Sequence, residues 1–218
     1  PLHDPLAGIP AGTASGEAVP GESGGLTIAL VQGNVSQDIK WVSSFQESTV
    51  DKYLGLSRMT FAAREDAERP DLVVWLETAM PFYFQLGGEL PARLREFARD
   101  RAVWLLFGGP AREAEADVSG NGMKEGAARE GGKTADAALR NRAFLLDSFG
   151  VPAGHYDKRH LVPFGEYIPP FLDLPLFEPL LQGVGGFSPG EEHSPLTVRN
   201  GKGERVRLGV LICYEAIF

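Results

Sequence analysis

Four short and nearly uninterrupted apolar runs constrain the fold of this chain more than any other feature. They are Leu26–Val31, Leu72–Leu76, Val103–Phe107 and Leu208–Ile212. Runs of this length, rich in branched residues, are typical of strands buried on both faces of a sheet. The sequence therefore predicts a largely buried sheet, with Val206–Ile212 as its closing strand.

Two amphipathic patterns separate the first three runs. Apolar residues recur at helical spacing over Phe45–Ala67, and Glu89–Asp100 forms a second helical segment. Farther along, Arg142–Asp147 and Gly154–Lys158 flank a turn and predict a β-hairpin. Strands that alternate with helices indicate an α/β fold built in layers.

The remaining stretches lack a strand or helix pattern. Pro1–Gly25 is rich in Gly, Pro, Ala and Ser, which predicts a flexible linker before one domain at residues 26–218. Residues 111–138 have no apolar periodicity and indicate a surface loop or hairpin insertion. Residues 160–189 form a loop dense in Pro, Gly and aromatic residues.

Charge and composition argue against several classes of function. The net charge of −8 disfavours a nucleic acid as partner, because phosphate binding needs concentrated Lys and Arg. No window of about 18 uninterrupted apolar residues exists, so none of these segments is expected to span a bilayer. A single cysteine forms no internal disulfide, and with scattered histidines it lacks metal-ligand spacing. We therefore expect no metal and no cofactor.

Three ionisable residues stand at the ends of predicted strands: Glu77, Lys158 and Cys213. A free thiol is a weak nucleophile at neutral pH, because its pKa is about 8.5. It becomes effective when a base takes its proton and a cation stabilises the charge that develops. A glutamate and a lysine delivered from neighbouring strand ends supply both roles, which makes these residues candidates for nucleophilic catalysis.

Each of the three residues also has an ordinary structural explanation. A lone cysteine is most often a small buried apolar residue. A glutamate at a strand end is usually a solvated cap or an ion-pair partner, and Lys158 fits a surface charge. The residues taken one at a time leave a catalytic and a structural role both open.

Four motifs surround these residues. They are Val31–Asn34 followed by Lys40–Trp41, Val74–Pro81, Tyr156–Pro169 and Ile212–Glu215. With the order Glu, Lys, Cys, they resemble the nitrilase superfamily of carbon-nitrogen hydrolases, and in particular the extracytoplasmic domain of the apolipoprotein N-acyltransferase family. Tyr156–Pro169 is the most specific motif, because soluble nitrilase relatives usually have a shorter loop after the lysine.

The resemblance implies a nitrilase-like α-β-β-α four-layer sandwich, here incomplete at the C-terminus. It also implies a catalytic triad of Glu77, Lys158 and Cys213. One departure concerns the residue before the glutamate, where the family usually has proline and this chain has Leu76. Leu76 is expected to keep Glu77 extended with less rigidity.

Five further residues take roles from the resemblance. Glu166, Glu215 and Tyr214 are implied to support the triad, the first by orienting the lysine and the second by holding the cysteine loop. Trp41 and Phe164 are implied to bind substrate. Their ordinary explanations are surface carboxylates and core aromatic side chains.

The function implied by the resemblance is apolipoprotein N-acyltransferase activity. An acyl chain would pass from a phospholipid donor to a thioester on Cys213, and then to the α-amine of the diacylglyceryl-cysteine of a bacterial lipoprotein. The family acts at the bacterial inner membrane, with this domain on the periplasmic, extracytoplasmic face. It carries membrane helices that lie outside these 218 residues, so the resemblance implies a part of a longer protein.

An apolar arm at residues 163–187 and two rival functions complete the expectations. The arm combines many large apolar residues with several prolines, and is expected either to pack as a loop or to enter the membrane interface and admit lipid. One rival function is a soluble nitrilase-type amidase or carbamoylase, in which water resolves the thioester. The other is a non-catalytic module that only binds a partner.

Overall fold

The computed structural model describes residues 25–35, 43–62, 69–77, 79–112, 138–167, 186–191 and 194–217. Its α-helices there are α1 (Ser43–Ala62) and α2 (Glu89–Arg101). Its strands are β1 (Ile28–Val31), β2 (Leu72–Trp75), β3 (Trp104–Arg112), β4 (Leu139–Leu146), β5 (Pro152–Asp157), β6 (Leu196–Arg199) and β7 (Arg205–Leu208). Phe84–Leu86 and Cys213–Ile217 form 3₁₀-helices.

Strands β1 to β5 form one sheet in chain order. The first three run parallel, and β4 and β5 continue the sheet antiparallel. The β4–β5 turn is closed by Asp147, whose Oδ1 accepts the backbone N–H groups of Phe149 and Val151 at 2.9 Å each. Gly150 in this turn has a φ of 76°, and a Cβ added there would lie 2.3 Å from the backbone oxygen of Arg95. The predicted hairpin is confirmed, and its turn requires glycine.

One face of the five-stranded sheet is covered by the two helices. Because strand side chains alternate between faces, Trp75, Phe107 and Phe144 share this face. They form one buried cluster with Val50 of α1 and Leu94 of α2. The rings of Phe107 and Phe144 stack with centroids 5.5 Å apart. Both predicted helices are confirmed, and their apolar faces supply one half of the core.

The opposite face carries the alternate residues and packs against a second sheet. This sheet consists of β6 and β7, which pair antiparallel. Leu196 and Val198 of β6 join a cluster with Leu72, Leu106 and Leu145 of the larger sheet. The described residues therefore form a mixed α/β fold with a helical layer and two sheets. The fourth, helical layer of the predicted sandwich stays a prediction.

The first apolar run forms a strand as predicted, but the prediction that this strand is buried is wrong for most of its residues. Leu30 is 75% exposed and Ile28 is 46% exposed, while Val31 is buried against the helices. β1 pairs only with β2 among the described strands. The strand residues that β6 and β7 cover belong to β2, β3 and β4, so one face of β1 lacks a covering layer within the described chain.

The third strand is longer than predicted. β3 continues through Gly108–Pro110, where the sequence pattern ended it, because β4 pairs with it as far as Arg112. A Cβ at Gly109 would lie 3.0 Å from the backbone oxygen of Met80. The N–H of Met80 also donates to the oxygen of Gly108 at 3.0 Å. These glycines permit a close approach of the segment after β2 and do not end the strand.

The predicted closing strand is wrong over most of its length. β7 ends at Leu208, and Gly209 to Ile212 belong to no strand. Leu211 is 64% exposed, whereas Ile212 is buried. The ladder ends at Leu208 because it pairs there with the first residue of β6, and no other described strand pairs with β7. Cys213 therefore follows an extended but unpaired segment.

Several predicted segments lie outside the described residues. These are the linker up to residue 24, the insertion at residues 113–137, and residues 168–185 of the apolar arm. None of the helices in the described part of the chain is long and apolar enough to cross a membrane.

The central aromatic cluster gives a test of the fold. Phe107 is fully buried, so Phe107→Ala is expected to lower the free energy of unfolding by about 3–5 kcal/mol. Phe149→Ala changes a side chain that is 75% exposed and serves as the matched control, with an expected change within about 0.5 kcal/mol. Urea unfolding followed by circular dichroism measures both, and equal losses would contradict this description of the core.

Candidate active site

The three residues predicted to act together meet at one edge of the larger sheet. Glu77 follows β2, Lys158 follows β5 directly, and Cys213 begins the last 3₁₀-helix. The Nζ atom of Lys158 lies 3.4 Å from Oε1 of Glu77, and the thiol of Cys213 shares a hydrogen bond with Glu77. Tertiary structure therefore brings the base, cation and nucleophile candidates into direct contact.

Lys158 is the most deeply buried charged group of this site. Its side chain is 1% exposed, and Nζ lies 3.0 Å from Oε1 of Glu166. Burial by itself lowers the pKa of Lys158, but the hydrogen bond that Lys158 donates to Glu166 and the charges of Glu77 and Glu166 outweigh it, so the pKa is raised. The lysine is therefore an ammonium ion at neutral pH. An ammonium has three donors, so among the described residues one remains beyond the bonds to the two carboxylates.

Asn141 links the two carboxylates and was missed by the sequence analysis. Asn141 lies in β4, and its Nδ2 donates to Oε1 of Glu77 and to Oε1 of Glu166, at 2.9 Å in each case. Glu166 is fixed further because its Oε2 accepts the N–H of Val162 at 2.9 Å. An amide directly before an apolar hairpin strand was the available signal, but its partners are 64 and 25 residues away along the chain.

Cys213 is held in a sharp backbone turn. Its φ is 53°, a left-handed conformation that residues other than glycine rarely adopt, and the residue is exposed. Burial of the sulfur and then the hydrogen bond and charge of Glu77 raise the pKa of the thiol. The charge of Lys158 and the N–H of Tyr214 lower it less. At rest, Cys213 is therefore a protonated thiol that is hydrogen-bonded to Glu77, the candidate base.

Glu215 fastens the cysteine turn to the end of β5. Its Oε2 accepts the N–H of Ile212 at 2.8 Å. Its Oε1 accepts the hydroxyl of Tyr156 at 2.9 Å and the N–H groups of Arg159 and His160 at 2.7 and 3.1 Å. Burial raises the pKa of this carboxyl, but these bonds outweigh burial and lower it. Burial and the neighbouring carboxylate together raise the pKa of Tyr156 to about 12.

An apolar cavity opens beside the thiol. It has a volume of about 480 Å³ and lies between the larger sheet and the segment before Cys213. Its polar lining consists of Glu77, Asn141 and Cys213, and Leu106 and Val210 belong to its apolar lining. The arrangement suits an apolar substrate whose reacting carbon lies next to the sulfur.

The other predicted site residues are placed differently. Phe164 and Tyr214 are 54% and 55% exposed, and neither lines this cavity. Tyr214 contributes its backbone N–H to the sulfur of Cys213. Trp41 lies outside the described residues. Within the described part of the chain, no group of three or more His, Cys, Asp and Glu side chains is arranged to hold a metal.

Comparisons with known proteins identify the family of this chain. The family profile described as Carbon-nitrogen hydrolase matches residues 27–218. An apolipoprotein N-acyltransferase of Geobacter metallireducens is 41% identical over 191 residues, which are 88% of this chain and 32% of that protein. One of Brucella suis is 32% identical over 210 residues, which are 92% of this chain and 34% of that protein. The chain thus spans about a third of the length of these curated relatives.

A solved structure supports the fold. The NitFhit protein of C. elegans matches with a TM-score of 0.54 and 20% identity, over 88% of this chain and 39% of that chain. At this identity the match supports the fold alone.

The hydrogen bond between Glu77 and Cys213 predicts a measurable effect on thiol reactivity. Because Glu77 raises the pKa of the thiol, Glu77→Gln is expected to move the pH midpoint of alkylation to a lower pH. Cys213 is the only cysteine, so iodoacetamide labelling followed by intact mass spectrometry reports on it alone. Exposed Glu96 provides the matched control, Glu96→Gln, which leaves the midpoint unchanged. An unchanged or higher midpoint in the Glu77 variant would contradict the contact.

The lowered pKa of Glu215 predicts how stability depends on pH. A carboxyl with a lowered folded pKa stabilises the protein above its unfolded pKa of about 4.3, and this contribution is lost as the pH falls through the folded value. Glu215→Gln is expected to lower the free energy of unfolding at pH 7 by about 3 kcal/mol, because a charged acceptor is lost.

Urea unfolding at pH 7 and at about pH 3.5 tests this expectation. The difference between wild type and the Glu215 variant should shrink at the lower pH, because below a pKa of about 4.3 the unfolded state takes up a proton that the folded carboxylate binds less readily. Glu96→Gln should match wild type at both values, since Glu96 is exposed. A difference that stays constant between the two pH values would show that the Glu215 charge is not responsible.

Proposed function

Because the chain belongs to the carbon-nitrogen hydrolase family, we propose that it carries out acyl transfer through a thioester on Cys213, as part of an apolipoprotein N-acyltransferase. The observation that carries the proposal is the hydrogen bond between the Cys213 thiol and Glu77. The Nζ atom of the Lys158 ammonium ion lies 3.4 Å from Oε1 of the same carboxylate. Identities of 41% and 32% to apolipoprotein N-acyltransferases over most of this chain support that choice within the family.

The first half-reaction acylates the enzyme. Glu77 accepts the thiol proton while Sγ of Cys213 bonds to the carbonyl carbon of a phospholipid acyl ester, and an oxyanion forms. The spare N–H of the Lys158 ammonium and the backbone N–H of Tyr214 are candidate donors to it, each worth about 3–4 kcal/mol. When the oxyanion collapses, the ester C–O bond breaks, and Glu77 returns the proton to the departing oxygen. Lysophospholipid leaves and the thioester remains.

The second half-reaction forms an amide. The α-amine of a diacylglyceryl-cysteine attacks the thioester carbon, and Glu77 accepts a proton from the nitrogen. The C–S bond then breaks, and the proton returns to the sulfur of Cys213. The sequence of steps is ping-pong chemistry.

The apolar cavity supports a lipid acyl group as the transferred unit. Its volume of about 480 Å³ and its mostly apolar lining beside Cys213 fit part of an alkyl chain, which water would otherwise solvate poorly. The proposal places this activity at the extracytoplasmic face of the bacterial inner membrane, on a four-layer α-β-β-α sandwich. A phospholipid is the donor and a diacylglyceryl lipoprotein is the acceptor.

The proposal is tested by trapping the thioester. Incubation of the chain with phospholipid vesicles, without acceptor, should add one acyl mass to Cys213, and neutral hydroxylamine should remove it. Cys213→Ala should give no adduct, and Glu77→Gln should slow its formation by at least about 100-fold, the usual effect of losing a general base. Glu96→Gln is the matched control and should react as wild type.

Two results would overturn the proposal. Acyl transfer by the Cys213→Ala variant would exclude this nucleophile. Release of ammonia from small amides, with no adduct from phospholipid, would instead assign the rival amidase function.

A further inference from the structure

A second cavity lies beside the residues that follow Lys158 and Glu166. Its volume is about 520 Å³, and it shares no lining residue with the cavity at Cys213. Arg159 directly follows Lys158 and Tyr167 directly follows Glu166, and both line it. The second cavity is therefore built on the same two turns that hold the charged centre of the site.

The lining of the second cavity combines basic and apolar groups. Arg159 and His160 are its basic residues, and no carboxylate is among the described residues that line it. The remaining lining is mostly apolar or aromatic: Leu161, Pro163, Tyr167, Phe187, Ser188 and Pro189. A cavity of this kind favours a ligand that carries a negative charge on an otherwise apolar body.

The backbone of Arg159 is held at the wall of this cavity. Its backbone N–H donates to Oε1 of Glu215 at 2.7 Å, and that carboxylate is almost fully buried. The residue is half-buried. Among the described residues, no carboxylate forms an ion pair with its guanidinium. The planar guanidinium of arginine is matched best by a bidentate anion such as a phosphate group.

Glu215 connects the second cavity to the nucleophile. It accepts hydrogen bonds from Arg159 and from Ile212, the residue directly before Cys213. The backbone of Arg159 and the backbone directly before Cys213 are therefore held by the same carboxylate. In a glycerophospholipid, the phosphate is separated from the acyl ester carbons by only a few bonds of the glycerol unit.

We propose that the second cavity binds the phosphodiester of the glycerophospholipid donor, with Arg159 as its main contact. This inference rests on the proposed acyl transfer, and it assigns the recognition of the donor's head group to a site separate from the acyl cavity. Tyr167 and Phe187 supply the apolar wall against which the glycerol unit packs.

The test is a comparison of two soluble ligands that differ in the phosphate. Calorimetric titration of the full chain uses dihexanoylphosphatidylcholine below its micelle concentration, and dihexanoylglycerol as the ligand without phosphate. Arg159→Gln is expected to weaken binding of the phospholipid by about tenfold, the effect of losing one charge-assisted contact, and to leave dihexanoylglycerol unchanged. Arg159→Lys should restore part of the affinity, because the charge is kept but the bidentate geometry is lost.

The controls separate this inference from its alternatives. Arg58→Gln removes the same charge from an exposed position of α1 and should bind both ligands as wild type does. Unchanged affinity of the Arg159→Gln variant for the phospholipid would overturn the proposal, and so would equal losses for both ligands. Inorganic phosphate that binds as tightly as the phospholipid would assign a free-phosphate site and overturn the lipid assignment.

The two proposals fail in distinguishable ways. Cys213→Ala should keep the affinity for the phospholipid while it abolishes the thioester. A thioester that forms while the Arg159 variant binds normally would sink only the head-group site. Binding that depends on Arg159 without any thioester on Cys213 would sink only the proposed catalysis.

Discussion

The buried ammonium ion of Lys158 is the charge on which the rest of the site depends. A lysine that is 1% exposed is stable only because Glu77 and Glu166 lie 3.4 and 3.0 Å from it. Asn141 donates to the same oxygen of each carboxylate and holds the two in place. Loss of any partner would leave a buried charge uncompensated, so the ends of β2, β4 and β5 are tied into one unit. The geometry of the candidate site and its local stability thus have the same physical origin.

A second buried carboxylate, Glu215, determines the position of the candidate nucleophile, Cys213. Glu215 binds the backbone on both sides of the site, at Ile212 and at Arg159, and so couples the cysteine turn to the end of β5. The positive φ of Cys213 is maintained by this coupling, since no β-ladder fixes the segment before it among the described strands. The two carboxylate centres have different roles. The centre of Glu77, Glu166 and Lys158 sets the charge around the thiol, and Glu215 sets the position of the thiol.

Two cavities that flank these centres relate the site to an amphipathic substrate. The lining of the cavity at Cys213 is mostly apolar. The described lining of the cavity at Arg159 contains basic residues and no carboxylate. A phospholipid has both characters in one molecule, with an acyl chain and an anionic phosphodiester. Membership of the carbon-nitrogen hydrolase family is established by the match over residues 27–218. The proposed lipid substrate is supported by these two cavities together with the identity to apolipoprotein N-acyltransferases.

The sequence by itself determined the elements that depend on local patterns of residues. The helices, β2 and the β4–β5 hairpin follow from apolar periodicity and turn chemistry, and Glu77, Lys158 and Cys213 were identified by residue type, order and resemblance to a family. Tertiary structure alone decided that Leu208–Ile212 is not a doubly buried strand, because burial of an apolar run depends on which layers cover it. It also decided the role of Asn141 and the raised pKa of the thiol. Both arise from contacts of a few ångströms between residues that are distant along the chain, and no local pattern records such contacts.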